Sequence, residues 1–308
     1  MKGLSKAQLV ILAIPIRGIL DLLPKIGENV NDGTLITDVG STKEEIVNSA
    51  HKSLPNSVHF LGGHPMTGSE KRGLPHADPL LFENAVYVLT DNQQLPSELT
   101  DKFVELIRAI GAQVLFMSAK QHDRIAAVVS HLPQLLAVTL MKYASNINNN
   151  QNSTCLKLAA GGFRDMTRIA SSPYEVWRDI LVTNADNIRA SIARFHEELT
   201  FMEGLLHTSE LQDIFDEAAK NRLSIPRDTR GFLNSHYDIS VVVEDKPGVI
   251  ADISTALAEE ELNIKDIEIL KVREGEAGTM RLAFESEGDR EQAIELLENY
   301  GYQSIKRD

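Results

Sequence analysis

The sequence predicts an α/β protein in three parts: a partial doubly wound sheet, an all-helical block and a small C-terminal βαββαβ domain. Three observations carry this reading. Short apolar runs alternate with amphipathic segments over residues 1–117, and the pattern turns purely helical over 118–224. After a linker at 225–235, residues 236–308 show two similar strand–helix halves.

Each element has its own signal. Leu9 to Ile14 is a continuous apolar run, the pattern of a strand buried on both faces of a parallel sheet. Thr34 to Val39, Val58 to Leu61, Ala85 to Leu89 and Gln113 to Phe116 are further short strands. Pro96 to Ile110 reads as a helix, with Leu99, Phe103, Leu106, Ile107 and Ile110 on one face. Ser41 to Glu44 and Ser118 to Gln121 each read as a capping box that opens a helix. Lys120 to Asn146 is expected to be one long apolar-faced helix, bent at Pro133, which lacks a backbone donor. Leu156 to Ala160, Pro173 to Glu203 and Leu211 to Arg222 continue the helices, with a polar loop over Asn146 to Ser153. This block carries more apolar surface than it can bury alone, which points to a dimerisation domain.

Pro226, Gly231 and several charges mark the linker. Beyond it come a strand at Tyr237 to Val243, a loop at Asp245 to Val249 and a helix at Ile250 to Glu260. A hairpin of Ile264 to Arg273 with Gly278 to Ser286, a helix at Arg290 to Tyr300 and a strand at Gln303 to Lys306 complete the order.

Composition narrows the function classes. The 308 residues are 43% hydrophobic, enough for two or three cores, and carry 31 basic against 44 acidic side chains for a formal charge of −13. No dense basic patch occurs, so neither nucleic acid nor a membrane is an expected partner. The single cysteine, Cys155, allows no internal disulfide and fits a reducing cytoplasm; helix packing suits it better than nucleophilic work. The longest apolar run, Leu9 to Ile16, is far too short to span a bilayer, and no signal peptide is expected.

Four segments carry chemistry. Gly62-Gly63-His64-Pro65-Met66-Thr67-Gly68-Ser69-Glu70-Lys71 follows an apolar strand and reads as a tight loop in which a ligand can approach the backbone. His64 is either its acid–base group or a solvated corner histidine. Ser130-His131-Leu132-Pro133 is followed by Gln134, which shares a helical face with His131. Gly161-Gly162-Phe163-Arg164-Asp165-Met166-Thr167-Arg168-Ile169-Ala170 places an arginine nine residues before Trp177. Asp38-Val39-Gly40-Ser41-Thr42-Lys43 ends a strand at the carboxyl edge of the sheet, where doubly wound folds bind ligands.

These segments resemble the signatures of the prephenate and arogenate dehydrogenases, tyrosine-pathway oxidoreductases with a Rossmann-like domain. The resemblance implies oxidative decarboxylation of prephenate to 4-hydroxyphenylpyruvate, with hydride passing to NAD. NADP stays open, because the discriminating residues lie outside the matched part. His64 would accept the proton of the ring hydroxyl, and Ser41 would lie beside that hydroxyl and the nicotinamide unless it only caps its helix. Arg168 would bind a substrate carboxylate. His131, Gln134, Gly161, Trp177, Glu70 and Asp165 would line the substrate pocket, with core packing the alternative for Trp177 and surface ion pairs for the two carboxylates. Ile14 and Pro15 would join Ser41 on the cofactor side. Family members often have a second histidine where Gln134 stands, so the choice between prephenate and arogenate is the property most in question.

The C-terminal part is similar to the ACT domain, an amino-acid-binding regulatory module, most clearly at Asp245 to Ile253. Tyrosine is then the expected effector, with Asp245, Gly248, Asn263 and Ile264 around it in a homodimer. The family also begins with a G-x-G-x-x-G pyrophosphate loop that this sequence lacks. About sixty or more family residues are therefore expected to be missing, judged from the size of strand–helix units, and this chain by itself is expected to bind no dinucleotide and to show no dehydrogenase activity. The alternatives are an arogenate dehydrogenase, or a non-catalytic amino-acid-binding regulator that lost its cofactor site.

Overall fold

The alternating runs become alternating strands and helices in the computed structural model, which describes residues 3–68, 77–91, 96–150, 154–224, 237–244, 246–271 and 278–307. The chain divides into two compact units, Met1–Thr208 and Ser209–Asp308. In the first unit, β1 (Leu9–Leu12), α1 (Ile16–Gly27), β2 (Leu35–Asp38), α2 (Glu44–Ser53) and β3 (His59–Leu61) follow one another. The three strands form a parallel sheet in the order β1-β2-β3. A second sheet has the order β4-β5-β6, built from β4 (Gly63–Pro65), β5 (Val86–Thr90) and β6 (Gln113–Met117), with α3 (Ser97–Ala109) crossing between the last two.

Burial on both faces, expected of the first strand, belongs instead to β2. All four of its residues are buried, while β1 buries Val10 and Leu12 and leaves Ile11 50% exposed. The reason is position: β1 is bonded to β2 on one side and is an edge among the described strands. One core packs Ile19, Leu23, Ile26, Ile36 and Ile46 between α1, α2 and the sheet. Another packs Leu35, Leu61, Tyr87, Leu89, Phe103 and Ile107 beneath α3.

The glycine-rich segment is not a loop throughout. Gly63 to Pro65 pair antiparallel with Leu89 to Tyr87, which sets His64 opposite Val88. A β-carbon on Gly63 would stand 2.6 Å from the Asp38 carbonyl oxygen and 2.9 Å from the Tyr87 ring. Only a hydrogen fits between backbone and ring.

The helical part departs from expectation in four places. The Lys120–Asn146 segment is α4 (Ala119–Ala126), a π-turn (Ala127–His131) and α5 (Leu132–Asn150). The π-turn absorbs Pro133, whose ring would otherwise meet the carbonyl four residues back. Because α5 reaches Asn150, the expected polar loop is mostly helix, and residues 151–153 fall outside the described ones. Cys155–Leu158 is a short 3-10 turn rather than an α-helix, followed by α6 (Gly161–Thr167) and a 3-10 turn at Arg168–Ser171. Pro173 to Glu203 is two helices, α7 (Tyr174–Thr183) and α8 (Ala185–Gly204), separated at the buried Asn184.

One of the two expected caps forms and one does not. Ser118 Oγ accepts the Gln121 amide at 3.2 Å. At α2 the cap position is Lys43 with no side-chain cap of its own. The Asp123 carboxylate accepts the Lys43 and Glu44 amides instead, at 2.7 and 2.8 Å, and leaves Ser41 out.

The second unit holds α9 (Glu210–Ser224) and the βαββαβ series: β7 (Tyr237–Val243), α10 (Val249–Glu259), β8 (Asp266–Lys271), β9 (Gly278–Phe284), α11 (Glu287–Asn299) and β10 (Ser304–Arg307). Its antiparallel sheet runs β10-β7-β9-β8. Ile239, Val241, Ile253, Leu257, Leu282, Phe284 and Leu297 form the core. α11 begins at Glu287 rather than Arg290, because Ser286 caps it through the Asp289 amide. The linker at 225–235 lies outside the described residues.

Gly63→Ala is expected to lower unfolding stability by about 1–3 kcal/mol, the scale of inserting a methyl into a filled site. Urea denaturation of the two proteins measures it; equal midpoints would show that strand β4 can shift away from β2.

Candidate active site

The site grows from a buried ion pair. Asp38 closes β2, and Lys43, fully buried, meets its carboxylate and donates to the Gly63 carbonyl at 2.7 Å. Asp38 also accepts from the Gly40 amide at 2.8 Å and the Gly63 amide at 3.2 Å. Burial lowers the Lys43 pKa, and Asp38 opposes that shift. Burial, and then Asp38, pushes the Tyr87 phenol up, which keeps it neutral.

His64 is the next residue. Its Nδ1 lies 2.8 Å from Nε2 of His122, and His122 Nδ1 lies 2.8 Å from Oδ1 of Asp123. Desolvation, then the neighbouring His122, Lys43 and His131, hold the His64 pKa well below the ordinary imidazole value. A neutral imidazole at physiological pH accepts protons.

His131 is buried in the same cluster. Asn184 donates its amide to the Asp123 carbonyl at 2.8 Å and lies 3.1 Å from His131 Nδ1. Since the Asn184 amide is a donor to both, His131 Nδ1 accepts and its proton sits on Nε2. The ring meets Trp177 edge-on with centroids 6.0 Å apart. Burial, the largest cause, pushes the His131 pKa down to about 4. Gln134 is buried on the adjoining turn, and its Oε1 has no hydrogen-bond partner among the described residues.

Ile14, Pro15 and Ser41 come together as the sequence suggested. With Val39, Gly40 and α7 they line a cleft of about 440 Å³ beyond the ends of β1 and β2. Trp177 also packs on the core beneath, so its two readings are compatible. Gly161, Asp165 and Arg168 lie exposed on α6 and the turn after it. Glu70 and Asp245 lie outside the described residues. In the second unit Gly248 opens α10 with φ +99°, a left-handed conformation that favours glycine, while Asn263 is exposed and Ile264 packs on the core. His122, Asp123 and Asn184 were not singled out in the sequence. Adjacency of a histidine and an aspartate just after the Ser118 cap was the one available signal.

Ala119–Ile147 has a mean hydropathy of 1.4 over its most apolar window, long and apolar enough by composition to cross a membrane. This exceeds the Leu9 to Ile16 run. Its inner face nonetheless holds His122, Asp123, His131 and Gln134, all buried within the first unit.

A cleft at the carboxyl ends of parallel strands is where doubly wound folds bind their ligands, and this site belongs to that class. Residues 1–116 match the prephenate dehydrogenase nucleotide-binding domain, 118–220 the prephenate dehydrogenase dimerization domain and 239–300 the AHAS small subunit-like ACT domain. The chain is 36% identical to a prephenate dehydrogenase of Bacillus subtilis over 302 residues, spanning 97% of this chain and 81% of that protein. Prephenate dehydrogenase of Aquifex aeolicus, solved with hydroxyphenyl propionate and NAD+, superposes with a TM-score of 0.66 at 29% identity, covering 71% of this chain and 76% of that one. Synechocystis arogenate dehydrogenase gives 0.65 at 25% identity, covering 72% and 80%. The chain belongs to the prephenate dehydrogenase family.

The two depressed histidines make stability pH-dependent. Their folded pKa values lie below the unfolded one, so the unfolded chain takes up protons first on acidification. The stability is present above about pH 6.5 and is lost as pH falls through that unfolded value towards the folded ones. Each histidine is expected to add up to about 1.4 kcal/mol per pH unit to the slope. Denaturation at several pH values checks this: His131→Asn should flatten the slope between about pH 6.5 and 4.

Proposed function

We propose, against the expectation drawn from the missing glycine loop, that this chain catalyses the oxidative decarboxylation of prephenate to 4-hydroxyphenylpyruvate with a nicotinamide cofactor, NAD by preference; the match of residues 1–116 to a nucleotide-binding domain supports this. The observation that carries the reading is His64, held neutral on β4 where it can take a proton. Arogenate is the alternative substrate.

The cleft lined by Ile14, Pro15, Val39, Gly40 and Ser41 has the apolar wall and polar rim that a nicotinamide ring needs. No G-x-G-x-x-G occurs in the 308 residues, so this fit concerns the nicotinamide end of the cofactor. When bound, the nicotinamide supplies the hydride acceptor. The remaining work falls to side chains. His64 takes the proton of the ring hydroxyl as that carbon becomes a carbonyl, and the ring becomes aromatic as carbon dioxide leaves. Ser41, free of capping duty, orients the hydroxyl. Arg168 binds a carboxylate as a fixed cationic fork. His131, Gln134, Gly161, Asp165 and Trp177 shape the rest of the pocket, and Glu70 is assigned to it through its motif.

We divide the chain into a nucleotide-binding part at 1–117, a helical dimerisation and substrate part at 118–224, a linker at 225–235 and an ACT domain at 236–308. The chain acts as a cytoplasmic homodimer. Support for the dimer comes from the matched dimerization domain and from exposed Ile125, Val128 and Val129.

His64→Asn is expected to lower turnover by about 10²-fold or more and leave KM within a few-fold, because proton acceptance is what it removes. Steady-state kinetics with prephenate and NAD+ measure this; unchanged turnover would remove His64 from the chemistry.

Tyrosine is proposed as the feedback effector, held between two ACT domains near Gly248, Asn263, Ile264 and Asp245. Inhibition from a second site works only by favouring a less active state, so the coupling should be about 1–3 kcal/mol. In the enzyme lacking residues 236–308, tyrosine inhibition is expected to vanish while turnover remains; its survival would place tyrosine in the active site.

A further inference from the structure

The chain behind His64 ends on a group that can only accept. Asp123 takes the Lys43 amide and His122 Nδ1 on one oxygen and the Glu44 amide on the other. Both amides lie at the N-terminus of α2, where the helix dipole favours an anion. Every one of these partners is a donor, so both carboxylate oxygens serve here as acceptors.

The tautomers follow by exclusion. His122 Nδ1 must carry a proton to reach Asp123 Oδ1 at 2.8 Å. A neutral His122 then has a bare Nε2, which lies 2.8 Å from His64 Nδ1. That contact is a hydrogen bond only if His64 donates from Nδ1. The one lone pair left on His64 is on Nε2. The two ring centroids lie 5.0 Å apart with their planes at 73°.

Resting on the assignment of His64 as proton acceptor, we propose that His122 and Asp123 are positioning residues that fix His64 in its Nδ1–H form. Its Nε2 is then the atom that receives the substrate proton. The same chain gives the charge somewhere to go. As the substrate hydroxyl loses its proton to His64 Nε2, the Nδ1 proton can pass to His122 Nε2. His64 returns to neutral, and the positive charge rests on His122 beside the Asp123 carboxylate. The net transfer is one proton. Lys43, His122 and His131 are the positive or titratable groups around His64, and each disfavours an imidazolium there. Asp123, in contact with His122, favours one a step away.

The tautomer can be read without any activity. Histidine 15N labelling of the whole chain, with His64→Asn used for assignment, distinguishes Nδ1–H from Nε2–H directly. At neutral pH His64 and His122 are both expected as Nδ1–H. In His122→Phe, which keeps the ring and loses both nitrogens, His64 should shift towards Nε2–H. Turnover should fall about 10²-fold with KM within about threefold, the scale of a misoriented acid–base histidine. In His122→Gln, whose carbonyl can still accept from Nδ1, the Nδ1–H form and at least about tenfold of the lost turnover should return. An Nε2–H signal from His64 in the wild-type protein overturns the proposal, as does unchanged turnover in His122→Phe. Should the wild-type chain fail to oxidise prephenate, the functional reading falls, while the wild-type spectrum still decides the tautomer whether or not His122→Phe folds.

Discussion

The Lys43–Asp38 ion pair is the constraint on which the rest of the site depends. A lysine taken fully out of water costs several kcal/mol unless its charge and its donors are matched. Here the match is made by three separate stretches of chain. Asp38 ends β2, Lys43 precedes α2, and the Gly63 carbonyl opens β4. Asp38 spends its remaining acceptor capacity on the Gly40 and Gly63 amides. None of the three segments can slide without stranding a buried charge. The pair is therefore better understood as fixing register than as adding net stability, and the residue it fixes next in sequence is His64.

A second constraint follows from the first. With Lys43 turned inward, α2 begins without a capping side chain of its own. Asp123 supplies that cap from α4, about eighty residues later in sequence. The cap ties the helical block to the sheet, and it explains why Ser41 remains on the cleft beside Ile14 and Pro15. Capping by a distant carboxylate leaves the nearby Ser41 hydroxyl without a capping role. One aspartate thus caps the start of α2, bonds to His122 and leaves Ser41 out of the cap.

How far the sequence could reveal this depends on the range of each interaction. Strands β2, β3, β5 and β6 were legible within a residue or two, because apolar burial is a local pattern. Strand β4 was not, since Gly63-His64-Pro65 has no alternation and pairs only because β5 offers it an edge. The break at Asn184 carries no proline or glycine; it exists because the Asn184 side chain reaches the Asp123 carbonyl and His131. Pro133 did announce a disturbance, though its form, a π-turn just upstream, depends on how the surrounding helices pack. His64 stood out by its motif, but its protonation state did not. That state is set by desolvation and by His122, 58 residues away in the chain. The partner of His64 was invisible because nothing local links the two.

The helix that carries His122 and Asp123 is inverted relative to an ordinary surface helix. Its inward side holds His122, Asp123, His131 and Gln134, while Ile125, Val128 and Val129 are 42%, 55% and 59% exposed. Soluble helices usually place the apolar stripe inward and the charges outward. The inversion makes sense if the inner face is the working face. Its polar groups are almost all satisfied within the fold, so the site can be dry without leaving charges unpaired. The apolar side is then available for burial against other protein, and Phe195 of α8 lines the same groove. A contiguous exposed apolar surface of this kind marks an interface, in keeping with a dimer built on the helical block. In that arrangement the same helix would present one face to the partner and the other to the His64–His122 pair.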